Sequence, residues 1–84
     1  MDVFFITFRS VTLAQRGERV LGDAGMRCAL IRTPRWMEEK GCGYCLRLKV
    51  QDPAAAVALL QQQEIPLRKV YLQNGEGGLE QWRP

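Results

Sequence analysis

Two cysteines separated by two residues are the feature of this sequence with the most evident chemistry. They form the motif Cys42-Gly43-Tyr44-Cys45, and a further glycine, Gly41, directly precedes it. A thiol reacts as its thiolate, and both ionisation and access improve in an exposed loop near positive charge. The two glycines allow the backbone to turn and leave room for another molecule to approach Cys42. The motif therefore predicts sulfur chemistry with Cys42 as the nucleophile.

Basic residues flank the motif on both sides. They are Arg35, Lys40 and Arg47. Their charge would stabilise a thiolate, or the anionic persulfide formed from it, whereas Glu38 and Glu39 oppose this effect. We expect the three cations to provide electrostatic stabilisation around Cys42 and docking charges for a partner.

Cys45 lies three positions after Cys42 and allows three interpretations. If the turn directs both sulfurs the same way, Cys45 can attack an oxidised or persulfidated Cys42 as a resolving thiol. The pair could also act as a thiol-disulfide couple, a known use of Cys-x-x-Cys. On an extended strand the two side chains diverge, and both cysteines are then ordinary small residues at the entry of a strand.

Metal binding is the competing use of a Cys-x-x-Cys motif. A structural zinc site takes four sulfur or nitrogen ligands, whereas the chain has three cysteines and no histidine. Only a dimer that pools Cys42 and Cys45 from each chain would complete such a site. The third cysteine, Cys28, is predicted to be a packed core thiol. We expect no metal and no cofactor.

Length and composition predict one small folded domain. Of the 84 residues, 46% are apolar and 25% are charged, as in a typical globular protein. The net charge of +3 is spread along the chain, so nucleic acid is not an expected partner. The apolar run Val3–Phe8 is too short for a membrane span and Arg9 follows it, so we expect no membrane association and a cytoplasmic location. A core this small would gain from homodimerisation.

Hydrophobic periodicity predicts the element order β-α-β-β-α-β. The four predicted strands are Val3–Phe8, Met26–Ile31, Leu46–Val50 and Leu67–Leu72. The first helix is predicted to follow a cap at Ser10 or Thr12 and to end at Gly25. The second is predicted to begin at Asp52-Pro53 and to end near Gln63. This order predicts an α+β ferredoxin-like sandwich, a four-stranded antiparallel sheet with two helices on one face.

Alternation along the strands separates a helix-facing side from an outer side. The residues predicted to point away from the helices are Phe5, Arg27, Cys45, Arg47, Lys49, Lys69 and Tyr71. This face is cationic, but the third strand has no aromatic residue to stack on RNA bases, which argues against RNA recognition. The domain is predicted to span residues 1–72. Residues 73–84 are predicted to be a loosely ordered tail, with Leu79 and Trp82 as docking contacts.

Five short segments of the chain resemble a known family. They are Phe4-Phe5-Ile6-Thr7-Phe8, Asp23-Ala24-Gly25, Thr33-Pro34-Arg35, Cys42-Gly43 and Ile65-Pro66. The likeness covers most of Val3 to Tyr71 and is to the selenium/sulfur carrier protein-like family (DUF3343). It implies a carrier, not a stand-alone enzyme, in which Cys42 accepts sulfur or selenium as a persulfide or perselenide and passes it to a partner enzyme. Donor and acceptor proteins are then the expected partners, and Cys45 departs from the family pattern.

A different class of function also fits the sequence. In this alternative the chain is a small dimeric regulatory or ligand-binding module, the outer sheet face forms the dimer interface, and the cysteines are incidental. Alkylation of Cys42 distinguishes the two, because it would abolish group transfer and leave the function of such a module intact.

Overall fold

One antiparallel sheet forms the centre of the structure. A computed structural model describes residues 3–33, 43–49, 52–73 and 79–82. The strands are β1 (Val3–Thr7), β2 (Cys28–Arg32), β3 (Tyr44–Leu48), β4 (Val70–Gln73) and β5 (Leu79–Trp82). The helices are α1 (Val11–Asp23) and α2 (Pro53–Gln62). The strand order is β2-β3-β1-β4-β5, and all four strand pairs among these residues are antiparallel.

Both helices begin at residues whose side chains cap the first turn. The Ser10 hydroxyl accepts a hydrogen bond from the Leu13 amide at 3.2 Å, and the Asp52 carboxylate accepts one from the Ala54 amide at 3.0 Å. Each bond satisfies an amide that has no partner within the helix. Gly25, with φ of +82°, follows the last turn of α1 and takes the left-handed conformation that ends a helix. These caps confirm the predicted ends of α1 and the predicted start of α2.

Both helices lie on the same face of the sheet and bury the main hydrophobic core there. The buried core residues of the sheet side are Phe4, Ile6, Phe8, Leu46, Leu48 and Val70. Those of the helices are Ala14, Leu21, Ala56, Val57 and Leu60. The sheet contributes every second residue of a strand, as its pleat requires. β1 is a central strand that lies between β3 and β4.

The sheet face turned away from the helices, here called the outer face, has a small apolar cluster of its own. One row across it contains Ala29, Arg47, Phe5, Tyr71 and Gln81. The next row contains Ile31, Cys45 and Thr7. Phe5 and Cys45 are 6% and 0% exposed and pack with Val3, Ile31 and Tyr71. The predicted orientation of Phe5, Cys45, Arg47 and Tyr71 is confirmed, but the centre of this face is buried because apolar side chains from four strands meet there.

A fifth strand corrects the prediction of a four-stranded sheet. β5 lies within the segment predicted to be a loosely ordered tail and pairs with β4 in antiparallel register, Trp82 opposite Val70. Trp82 packs against the main core, so its predicted docking is confirmed. β5 is four residues long, and a strand this short gives little period-2 signal in the sequence.

The helices of the described part are short. Neither is long and apolar enough to cross a membrane.

Candidate functional site

The end of the β2-β3 hairpin frames the segment that contains Cys42. Arg32 and Tyr44 form the last pair of the ladder, and the Thr33 amide then donates a hydrogen bond to the Gly43 carbonyl at 2.8 Å. Thr33 is buried, at 8% exposure. These four residues, here called the hairpin end, fix the two points at which the chain leaves and re-enters the sheet.

Four of the residues predicted to form the site lie outside the described residues. They are Arg35, Lys40, Gly41 and Cys42. Gly43, Cys45 and Arg47 are described. Gly43 has φ of +81°, a left-handed conformation in which a side chain is strained, so this turn requires glycine directly after Cys42.

The Cys45 side chain is enclosed on the outer face. It is 0% exposed and belongs to the cluster around Phe5, with Thr7 and Ile31 as its cross-strand partners. A thiol must be reachable to attack a disulfide or persulfide. In this conformation Cys45 packs as a small apolar residue, and its predicted resolving role stays a prediction.

Arg47 lies away from the hairpin end. It is four residues beyond Gly43, which corresponds to about 13 Å along a strand. Its exposed side chain lines a groove of about 300 Å³, here called the cationic groove, formed by Arg27, Cys28, Ala29, Arg47 and Lys49. Arg47 is therefore placed among other cations of the outer face and not beside Gly43.

Arg32 is a cation of the hairpin end that sequence analysis did not select. Its guanidinium carbon lies 6.0 Å from the centre of the Tyr44 ring, at the outer limit of a cation–π contact. The exposed Arg32 side chain thus lies beside Tyr44 at the end of the ladder, from which the chain continues toward Cys42. In the sequence Arg32 is ten residues from Cys42 and gives no sign of being near it. The strand register, which pairs Arg32 with Tyr44, is what places Arg32 at the hairpin end.

Cys28 is a half-buried thiol tied to α1. Its Sγ donates a weak hydrogen bond to the Glu18 carbonyl at 3.8 Å, and a Glu18 carboxylate oxygen accepts one from the Leu30 amide at 3.3 Å. Cys28 packs against the main core, as predicted. Burial, and then the Glu18 carboxylate, raise the pKa of the Cys28 thiol above its ordinary value of 9.0. Cys28 is therefore a poor nucleophile at neutral pH.

The raised pKa of Cys28 predicts a pH-dependent contribution to stability. Well below pH 9.0 the thiol is protonated in both the folded and the unfolded state. As pH rises past 9.0, the unfolded chain loses this proton first, so the free energy of unfolding falls until the folded thiol also ionises. Chemical denaturation between pH 8 and the alkaline limit should show a smaller decline for Cys28→Ala than for the wild type. An equal decline of the free energy of unfolding in the two proteins would contradict the raised pKa of Cys28.

The described residues offer no metal centre. They contain no group of three or more histidine, cysteine, aspartate or glutamate side chains placed to hold an ion.

The described geometry defines a small α+β domain in which the hairpin of the edge strand β2 and its neighbour β3 frames the segment that contains Cys42 in the sequence. The chain belongs to the family described as "Putative Se/S carrier protein-like", whose model matches residues 4–72. This match confirms the resemblance found in the sequence and includes both Cys42 and Cys45. No curated protein and no solved structure matches the chain.

Proposed function

We propose that this protein is a carrier that holds sulfur or selenium on Cys42 and delivers it to a partner enzyme. The observation that carries the proposal is the family match over residues 4–72, which includes the only glycine-flanked cysteine in the chain. The element order and the central position of β1 and β3 support the finer assignment of a ferredoxin-like sandwich with β5 added at one edge. A reactive thiol is best kept reduced, which supports a cytoplasmic location.

The transfer itself is an exchange of sulfane sulfur without net oxidation. The Cys42 thiolate attacks the outer sulfur of a donor persulfide and a new S–S bond forms. The bond between the outer and inner sulfurs of the donor breaks, and the inner sulfur leaves as the donor's cysteine thiolate. Cys42 then carries a persulfide. A thiolate of the acceptor attacks the outer sulfur in turn, and the Cys42 thiolate is regenerated. Selenium would follow the same steps as a perselenide.

The hairpin end supports such an exchange in two ways. The carbonyl of Gly43, the residue after Cys42 in the sequence, accepts a hydrogen bond from the Thr33 amide, which ties the two strands together where the intervening segment begins and ends. Arg32 adds positive charge at the same end of the sheet. A nearby cation stabilises both the attacking thiolate and the persulfide anion. We assign Arg32 this electrostatic role beside the predicted Arg35 and Lys40.

Cys42 acts without Cys45 in this scheme. The enclosed position of Cys45 favours a packing role, whereas a resolving role would need its side chain to leave the cluster around Phe5. Arg47 is better suited to partner binding, because it is exposed among the other cations of the groove, about 13 Å along β3 from Gly43.

Intact mass under non-reducing conditions tests the carrier function. The protein is incubated with cysteine and a cysteine desulfurase, and in parallel with a small inorganic polysulfide. We expect a mass gain of one sulfur that a reductant removes and that prior alkylation with iodoacetamide prevents. No gain from either donor, with the protein folded by circular dichroism, would contradict the proposal.

A further inference from the structure

The outer face differs in charge from the rest of the described surface. It carries exposed Arg27, Arg47 and Lys49, which line the cationic groove. Among the described residues it carries no aspartate or glutamate. The acidic residues of that part of the chain are Glu18, Asp23, Asp52, Glu64 and Glu80. Four of them lie in the helices or near helix ends. Glu80 pairs with Leu72, which packs against the main core, so Glu80 lies on the helix side of the sheet.

The cationic groove adjoins apolar surface. Arg47 stands next to Phe5 in the row that continues to the half-buried Tyr71, and the half-buried Val3 and Ile31 belong to the same cluster. Around the buried Phe5 and Cys45, these half-buried apolar residues with cations at their edge resemble the apolar core and polar rim of a protein interface. Charge of one sign on such a patch selects a partner surface of the opposite sign and speeds encounter with it.

We propose that the outer face is a docking surface for an acidic protein surface, with Arg27, Arg47 and Lys49 as its recognition charges. The inference rests on the proposed carrier function, which requires a donor and an acceptor protein to bind close to Cys42. The groove lies toward the other end of β3, with Arg47 about 13 Å along the strand from Gly43, and a protein interface of about 800 Å² per partner is wide enough to cover both the groove and the hairpin end. A partner seated on this face does not cover the helices, which pack on the opposite face of the sheet.

A protein partner fits this surface better than a nucleic acid does. The three cations line one groove at a corner of the face, and Arg47 is the one charged residue in the two rows of paired residues. The half-buried Lys69 lies just beyond the second row, where its amide donates to the Thr7 hydroxyl. Nucleic-acid binding depends on an extended basic track along the phosphates, and sheets that bind single strands add exposed aromatic platforms. The one described aromatic residue of β3, Tyr44, pairs with Arg32 at the hairpin end, and Phe5 is buried.

Amide NMR with an acidic probe tests the docking surface independently of sulfur transfer. The isotope-labelled protein is titrated at low salt with a short glutamate peptide that contains one central leucine. We expect shift changes concentrated on Arg27, Ala29, Arg47 and Lys49. The triple variant R27E/R47E/K49E should bind the peptide at least about ten-fold more weakly than the wild type. The affinity of the neutral variant R27Q/R47Q/K49Q should lie between the two. The matched control is R16E/R19E, which reverses two exposed cations of α1 and should leave binding on the outer face unchanged.

Three results would overturn the proposal. Shift changes as large on α1 as on the outer face would mean nonspecific attraction. Tighter binding of an oligothymidylate than of the peptide at equal salt would indicate a nucleic-acid site, and full displacement of the peptide by millimolar pyrophosphate would indicate a small-anion site. Because no sulfur donor is present, failure of this experiment leaves the loading of Cys42 unaffected, and failure of loading leaves the NMR result standing.

Discussion

Serine in place of Cys42 is expected to abolish the one-sulfur adduct completely. A serine hydroxyl is not ionised at neutral pH and cannot hold sulfane sulfur as a persulfide, whereas the rest of the turn, including the left-handed Gly43, is preserved. The measurement is intact mass after incubation with the desulfurase and cysteine, followed by peptide mapping without reductant. An adduct that persists at full level in Cys42→Ser would contradict the assignment of this residue.

The two other cysteines provide the controls for this result. Cys28→Ser should load like the wild type, because burial and Glu18 keep the Cys28 thiol protonated. Cys45→Ala should also load, although removal of its enclosed sulfur should lower the free energy of unfolding by about 1 kcal/mol. If the adduct of Cys45→Ala outlives that of the wild type, Cys45 releases sulfur from Cys42 and the resolving role is correct. Equal adduct lifetimes in Cys45→Ala and the wild type would mean that Cys45 takes no part in sulfur release and contributes through packing.

The parts of the fold that the sequence predicted are those with local physical signals. Ser10, Asp52 and Gly25 mark helix ends through side-chain or backbone chemistry that needs no distant partner. Strand limits were less accurate because they depend on tertiary pairing. β2 begins at Cys28 and not at the predicted Met26, since the Met26 amide closes the end of α1 by bonding the Leu21 carbonyl at 2.9 Å.

The arrangement of the predicted site residues depends on strand pairing, which the sequence does not show. The sequence selected Cys42, which lies outside the described residues and stays a prediction, and grouped Arg47 with it because the two are close in number. The extended backbone of β3 separates Arg47 from the hairpin end and places it beside Arg27, its neighbour in the cationic groove. Conversely, antiparallel pairing places Arg32 at the hairpin end, where the segment that contains Cys42 rejoins the sheet. Residues on paired strands are neighbours by register, which sequence distance does not reveal.

Replacing Phe8 by alanine is expected to cause the largest loss of stability among single changes in the described core. Phe8 is 0% exposed and belongs to the cluster that joins both helices to the sheet. Truncation of a buried phenylalanine costs about 3–5 kcal/mol, which is a large part of the 5–15 kcal/mol that stabilises a typical domain. Urea unfolding followed by circular dichroism measures it. Val11→Ala, which truncates an exposed residue, should change stability by about 0.5 kcal/mol or less.

Gly17 supplies a sharper test of the same packing. A Cβ added there would lie 3.1 Å from Cζ of Phe8 and 3.3 Å from Cδ1 of Leu46, closer than ordinary contacts. In the wild type this crowding should cancel or exceed the helix-propensity gain of about 1 kcal/mol from Gly17→Ala. In the Phe8→Ala background the tighter contact is gone, so the same substitution should stabilise the protein. Gly22→Ala, where the added Cβ meets nothing within 4 Å, should stabilise both backgrounds equally. The four proteins form a double-mutant cycle, in which distant residues contribute independently and residues in contact do not. Equal effects of Gly17→Ala in the two backgrounds would therefore mean that Phe8 does not pack over α1.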